Sequence, residues 1–175
     1  PLTNIGISLI FIVLAGLVAM VLFENTANIL IVVIAAGLGA YMALNIGAND
    51  VANNMGPAVG ANALSMGGAI AIAAIFESAG ALLAGGDVVS TVAKGIIAPE
   101  NMRTTAIFIF AMLSALLSAA LWVNLATWVG APVSTTHSVV GGVMGAGIAA
   151  AGFAAVNWPT MYKIAASWVI SPVLG

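Results

Sequence analysis

Residues 29–57 read ILIVVIAAGLGAYMALNIGANDVANNMGP, and this stretch decides the fold. Its first part is an apolar run of the length that crosses a bilayer, about 20 residues. Its second part places four asparagines and one aspartate within ten residues, beside the helix-weakening Gly47 and Pro57. Polar, irregular backbone at membrane depth is tolerated only where it is buried in protein or lines a wet cavity. The stretch therefore predicts a membrane-spanning helix that runs into a functional discontinuity.

The composition of the whole chain agrees with a membrane protein. Of its 175 residues, 63% are hydrophobic and 5% are charged, whereas a soluble domain carries about 25% charged residues. With three basic and five acidic residues the chain offers no basic patch, so no nucleic-acid partner is expected. The absence of cysteine removes disulfides and thiolate chemistry. We expect an all-α integral membrane protein.

Apolar runs of spanning length occur at 5–23, 29–47, 66–85 and 104–129, and they predict four transmembrane helices. The first run lacks a basic leader and a cleavage site, so it is interpreted as a span and not as a signal peptide. The intervening segments 51–63, 88–98 and 132–155 are too short or too broken for simple spans. Residues 1–175 are expected to form one transmembrane domain, trimmed at both ends.

The polar part of 45–57 is the first candidate site. Asp50 and Asn53 are three residues apart, which puts them on one face of any helix that begins near Val51. In secondary transporters, broken helices direct their N-termini at anionic substrates and their free carbonyls at cations. The alternative is an ordinary loop in which Asn and Asp serve as helix caps.

The second candidate site is the segment PVSTTHS at 132–138, followed by a glycine-rich run. Ser134 or Thr135 can cap a helix here, and the N–H groups of the first turn could bind an oxyanion together with the hydroxyls and His137. The alternative is a plain N-cap on a helix that packs closely through its glycines.

Glu77 lies near the middle of the third predicted span, where an ionised group costs about 2.5 kcal/mol or more. The Glu77 side chain either has a function, or forms a polar contact between helices, or is protonated. Every Lys and Arg lies in a loop or near a span end, so a bound anion would lack a protein counter-charge. Cations held by Asp50 and Glu77 would supply that charge, which favours symport over uniport. Oxygen ligands suit sodium, and His137 leaves proton coupling open.

Two motifs carry a family resemblance. The segment GANDVAN at 47–53 resembles the first signature of the inorganic phosphate transporter (PiT) family, and PVSTTH at 132–137 resembles the second. The resemblance covers nearly everything after residue 40. It implies inverted repeats, a broken helix carrying Asn49 and Asp50, and a re-entrant hairpin carrying Ser134 to His137. This chain then corresponds to the N-terminal half, with an extra helix at about 5–23.

The predicted function is cation-coupled symport of inorganic phosphate by a multi-pass protein of the cell membrane, with sodium or protons as the coupling ion. A sulfate transporter and an anion channel are the alternatives, and a membrane enzyme or a structural subunit is a more distant rival. The expected partners are the lipid bilayer and the remaining half of the transporter, with homo-oligomerisation left open; no catalytic residue or cofactor is expected. The predicted phosphate-binding residues are Asn49, Asn53, Ser134, Thr135, Thr136 and His137. The predicted cation-binding residues are Asp50, Asn49 and Glu77, with sodium at Asp50.

Overall fold

The structure is a computed structural model that describes residues 2–174, and it is all-helical, as predicted. Its α-helices are α1 (Leu2–Leu22), α2 (Ile29–Ile46), α3 (Ala52–Gly60), α4 (Met66–Ser90), α5 (Thr105–Trp128), α6 (Thr135–Ala151) and α7 (Trp158–Leu174). Within these residues, four helical stretches are long and apolar enough to cross a membrane: Leu2–Leu22, Ile29–Gly60, Met66–Gly95 and Thr105–Trp128. Each of the four predicted spans corresponds to one of these stretches, and two of the stretches run beyond the predicted ends, to Gly60 and Gly95.

The chain comprises two compact units. The first contains Pro1–Ala73 and Leu116–Ser138, and the second contains Ala74–Ala115 and Val139–Gly175. Each unit is described by itself below. The single transmembrane domain expected from the sequence stays a prediction.

Helices α1 and α2 of the first unit pack as an antiparallel pair. A Cβ built on Gly16 of α1 would lie 3.4 Å from Val33 Cγ1, and one built on Gly37 of α2 would lie 3.7 Å from Ile12 Cγ2. The later residue of α1 thus contacts the earlier residue of α2, and the reverse, as antiparallel packing requires. Glycines let apolar helices approach closely, which favours association where lipid removes the hydrophobic driving force.

The discontinuity predicted after α2 is a π turn and not a chain break. Residues Gly47–Val51 form this turn between α2 and α3, and the flanking Ile46 (φ −59°, ψ −50°) and Ala52 (φ −61°, ψ −42°) keep right-handed helical backbone. A π turn closes its hydrogen bonds over one residue more than an α-helix does, so the helix widens without ending. The expectation of a broken helix is therefore corrected to a widened turn within a continuous helix.

The second unit has its core around the segment that follows α4. A second π turn, Thr91–Gly95, extends this helix. Ile96 and Ile97 then become fully buried with Val143 and Val156. Ile97 pairs with Val156 in an isolated antiparallel bridge, and the Asn157 N–H donates to the Ile96 carbonyl at 2.9 Å. Irregular backbone at this buried position is therefore paired, as buried N–H and C=O groups generally are.

The glycine-rich run after residue 132 is mostly the regular helix α6. The predicted hydroxyl-rich helix start is confirmed, because α6 begins at Thr135 directly after the short irregular segment that follows α5. The re-entrant course that the family resemblance implies for this segment stays a prediction.

Gly147 of α6 offers a test of the packing in the second unit. A Cβ built there would lie 2.5 Å from Ile97 Cδ1 and 2.8 Å from its Cγ1, whereas one built on Gly145 meets nothing within 4 Å. Overpacking costs about 1–3 kcal/mol, while Gly→Ala within a helix gains about 0.5–1 kcal/mol. We expect Gly147→Ala to lower the unfolding temperature in detergent and Gly145→Ala to preserve or raise it. Equal unfolding temperatures for the two variants would contradict this packing.

Candidate functional site

Both sequence signatures fall in the first unit, and the structure joins them through Asn49. This residue lies within the π turn and is 5% exposed. Its Nδ2 donates to Thr127 Oγ1 at 3.1 Å and to the Ala131 carbonyl at 3.1 Å. Its Oδ1 accepts from Asn53 Nδ2 at 3.0 Å and from the Val133 N–H at 3.3 Å.

These four bonds use the whole hydrogen-bonding capacity of one amide, which has two donor hydrogens and two acceptor lone pairs. Three of the partners lie 78 to 84 positions further along the chain. The side chain of Asn49 therefore ties the π turn to the end of α5 and to the segment before α6. With its amide occupied in this way, Asn49 holds the site together.

Asp50, the next residue, makes the second link between the two signatures. The Thr135 hydroxyl donates to Asp50 Oδ2 at 2.6 Å. Thr135 is the first residue of α6 and is only 7% exposed, while Asp50 is half-buried. This separation is at the short end of the range for O–H···O hydrogen bonds. The carboxylate is thus fixed by a neutral donor at the start of α6.

The start of α6 is capped by Ser134, as the sequence suggested. Its Oγ accepts the His137 N–H at 3.2 Å, and the Ser138 hydroxyl donates to the Ser134 carbonyl at 2.8 Å. The side chains of Ser134, Thr136 and His137 are exposed, in contrast to that of Thr135. An α-helix leaves its first N–H groups without intrahelical acceptors, so this end of α6 concentrates hydrogen-bond donors.

The remaining predicted residues have different surroundings. Asn53 is exposed at the start of α3 and donates to Asn49, whereas Asp50 is bonded to Thr135. The two residues predicted to share one face thus have separate partners. Glu77 belongs to the second unit, where it is exposed on α4, and it takes no part in the hydrogen bonds of Asn49 and Asp50 described above.

Thr127 of α5 is a site residue that the sequence reasoning missed. Its hydroxyl donates to the Val123 carbonyl at 2.8 Å and accepts from Asn49. A single Thr in an apolar helix is an unremarkable signal, because its hydroxyl can bond the carbonyl four residues earlier. Its position next to the last residue of α5, shortly before the second signature, was the only available clue.

This site does not supply the several charged ligands that many metal ions require. Residues 2–174 contain no group of three or more His, Cys, Asp or Glu side chains placed to hold a metal. Asp50 supplies one carboxylate, so a cation bound there would take its other ligands from neutral oxygens. Neutral oxygens and a single carboxylate suit a hard monovalent cation better than a transition metal.

Four apolar helices of spanning length, with a polar cluster held between helices, define the class of multi-pass membrane proteins. The Phosphate transporter family (PHO4) matches residues 46–175. The chain belongs to this family. The resemblance drawn from the two signatures is thereby confirmed, and the family is one of permeases and not of enzymes.

Individual relatives agree with the family match. A Helicobacter pylori protein named as a phosphate permease is 57% identical over 98% of this chain and 32% of its own length. Inorganic phosphate transporter 2-1, chloroplastic, from Arabidopsis thaliana is 49% identical over 78% of this chain and 24% of its own length. A solved structure named the sodium-dependent phosphate transporter superimposes with a TM-score of 0.77 at 49% identity, covering 82% of this chain and 36% of that one. The chain spans about a third of the length of such relatives.

The role of Asn49 can be tested by Asn49→Asp, which keeps the size of the side chain but removes both donor hydrogens. The new carboxylate would face the Ala131 carbonyl and lack a matching donor from Thr127. Leaving buried groups unsatisfied costs about 1–3 kcal/mol, which lowers the unfolding temperature by several degrees. Thermal unfolding in detergent measures this, with the exposed Asn54→Asp as a matched control. An equal shift in both variants would contradict the role assigned to Asn49.

Proposed function

We propose that this chain forms part of a symporter that moves inorganic phosphate across a membrane together with a cation, sodium being favoured over the proton. The observation that carries the proposal is the 2.6 Å hydrogen bond between Thr135 and Asp50. It joins a carboxylate to the donor-rich start of a helix, so the proposed cation site and the proposed anion site are adjacent. The family match supports phosphate as the substrate, and the name of the solved relative supports sodium.

The proposed cation site is centred on Asp50. One of its carboxylate oxygens accepts the Thr135 hydroxyl, and the other is available for an ion. Sodium binds hard oxygen ligands, and a carboxylate with carbonyl or hydroxyl neighbours supplies them. We assign Asn49 the task of positioning this carboxylate and not of binding an ion, because its own oxygen already accepts two hydrogen bonds.

The proposed phosphate site is the exposed start of α6. Backbone N–H groups of the first turn, with the hydroxyls of Ser134 and Thr136 and the ring of His137, provide several donors in a small volume. The exposed amide of Asn53 is a further candidate. Thr135 acts differently from Thr136 in this proposal, because its hydroxyl is bonded to Asp50 and links the anion site to the cation site.

Charge explains why the two ions would move together. The first unit, made of residues 1–73 and 116–138, contains no Lys or Arg, and its acidic residues are Glu24 and Asp50. Phosphate next to an ionised Asp50 would be repelled, at an energy that grows as the surroundings become less polar. A cation on Asp50 removes this repulsion. Binding of the cation would therefore raise the affinity for phosphate, which is the energetic basis of coupling.

The proposal concerns the complete protein, of which this chain spans about a third by comparison with its relatives. The remaining polypeptide would supply the other part of the transport path, as in transporters whose sites lie between repeats. The cell membrane is the proposed location.

Phosphate uptake should be measured in proteoliposomes of the complete protein, with sodium and proton gradients imposed separately. Labelled sulfate serves as the competing substrate, and uptake of sulfate in preference to phosphate would overturn the assignment.

The cation site is tested by Asp50→Asn, which preserves shape and removes the charge. We expect most sodium-driven phosphate uptake to be lost, because the neutral side chain cannot hold the ion or balance its charge. Asp87→Asn, at an exposed carboxylate of the second unit, is the matched control and should keep the parental rate. Near-parental uptake by Asp50→Asn would exclude Asp50 as the cation site.

Glu77→Gln in the same assay decides whether the second predicted carboxylate takes part in coupling. A changed sodium dependence would add Glu77 to the cation path. An unchanged dependence would leave it a structural residue of α4.

A further inference from the structure

A second amide contact joins α2 to α5 one helical turn before the site. Asn124 Nδ2 donates to Asn45 Oδ1 at 2.9 Å, and Asn45 Nδ2 donates to the Tyr41 carbonyl at 2.8 Å. Asn45 is 4% exposed, while Asn124 remains exposed on α5. Neither residue belongs to the proposed ion sites. Burial of an asparagine in a helix of apolar residues is costly unless its amide is paired.

Two contacts with α5 follow one another along the chain, one from Asn45 at the end of α2 and one from Asn49 in the π turn. Asn124 and Thr127 are three residues apart and lie on one face of α5. Asn45 and Asn49 are four residues apart across the start of the π turn, and their hydrogen bonds show that both side chains meet that face. The bonds Asn45–Asn124 and Asn49–Thr127 therefore form two successive rungs between the same two faces. We call these four residues the amide ladder.

The position of the ladder matters because the π turn Gly47–Val51 begins between its rungs. A π turn contains one residue more than an α-turn. Its relaxation to α-helix would rotate the residues within and after the turn relative to α2, by roughly 100° across the whole turn. Asn45 lies before the turn and Asn49 lies within it. Because both are bonded to α5, the ladder opposes this rotation. Asp50 directly follows the second rung.

We propose that Asn124 is a positioning residue which, through Asn45, holds the π turn open and so aims the Asp50 carboxylate at its cation. The inference rests on the proposed function, and it adds a determinant of cation affinity outside both sequence signatures. Asn124 acts through Asn45 and the turn, with no contact to either ion. Its loss weakens the binding of the cation and leaves the maximal transport rate nearly intact.

Space beside the contact makes a conservative replacement feasible. A recess of about 410 Å³ adjoins the pair, and its lining includes Asn4 and Ser8 of α1 together with Tyr41. Asn124→Gln keeps the donor on a longer side chain that this recess can accommodate. Asn124→Leu removes the donor at nearly the same volume. Asn28→Leu makes the same change at the exposed N-cap of α2, where the side chain makes no capping bond.

The experiment uses the complete protein in proteoliposomes, with uptake expressed per amount of folded protein. The sodium concentration for half-maximal phosphate uptake is measured for the parent, Asn124→Leu, Asn124→Gln and Asn28→Leu. We expect Asn124→Leu to raise this concentration about threefold to tenfold, the range that corresponds to the loss of one interhelical hydrogen bond in a membrane protein. Asn124→Gln should recover to within about twofold of the parent, and Asn28→Leu should match it.

A merely structural contact would change a different quantity. It would lower the unfolding temperature or the yield of folded protein without altering the sodium dependence of the protein that remains folded. An unchanged half-maximal sodium concentration in Asn124→Leu, or the same rise in Asn28→Leu, overturns the inference. If Asn124→Leu does not fold, Asn124→Ser, whose shorter side chain cannot reach Asn45, takes its place in the same comparison.

A binding measurement separates failure of this inference from failure of the proposed function. Sodium chloride is titrated against the unfolding temperature of the detergent-solubilised protein, with choline chloride at equal ionic strength as the reference, because a ligand that binds the folded state raises its stability. If the parent is stabilised by sodium and Asn124→Leu requires a higher concentration, the inference holds even where phosphate uptake is absent. If sodium stabilises both proteins equally, the inference fails while symport can still stand. If sodium stabilises neither protein, both the sodium site and this inference fail.

Discussion

The structure of the first unit depends on one constraint, which is that hydrocarbon offers no partner to a polar group. Asn49 meets this constraint completely, with four hydrogen bonds inside the protein. Those bonds connect the π turn, the end of α5 and the segment before α6, which are distant in sequence. Asp50 follows Asn49 directly, so its carboxylate is carried to Thr135 by the same arrangement. The position of the Asp50 carboxylate therefore follows from the hydrogen bonds made by the neighbouring Asn49 amide.

A division of tasks follows between two adjacent residues. A neutral amide can be buried once it is paired, at a net gain of about 0.5–1.5 kcal/mol for each hydrogen bond. An ionised carboxylate needs either a counter-charge or water, and it is costly to bury with neither. Asn49 is accordingly buried and Asp50 only half-buried. The residue that ties the segments together is enclosed, and the residue proposed to bind an ion is only half-buried.

Hydropathy was sufficient to predict the four spans, and the hydroxyl cluster after Pro132 was sufficient to predict the start of α6, because both are local properties. The π turn was not predictable as such. Gly47 and the neighbouring asparagines suggested a break, since sequence shows which residues weaken a helix but not what pairs their side chains. Thr127 was missed for the same reason, because only its contact with Asn49 distinguishes it from other residues of α5. The separate partners of Asp50 and Asn53 likewise depend on the geometry of the turn.

The charges of the first unit connect this geometry to the proposed function. Asp50 is fixed by the Thr135 hydroxyl, a donor that carries no charge, and no Lys or Arg occurs in residues 1–73 or 116–138. A Lys or Arg paired with Asp50 would have neutralised the carboxylate permanently. No exchangeable cation would then be needed there. With a neutral donor the position of the carboxylate is set while its charge remains to be balanced from outside. A mobile cation can provide that balance reversibly, and an anion bound at the start of α6 would then experience a different field in its presence and in its absence. The neutral bond from Thr135 is thus the feature that allows a fixed carboxylate to respond to an ion.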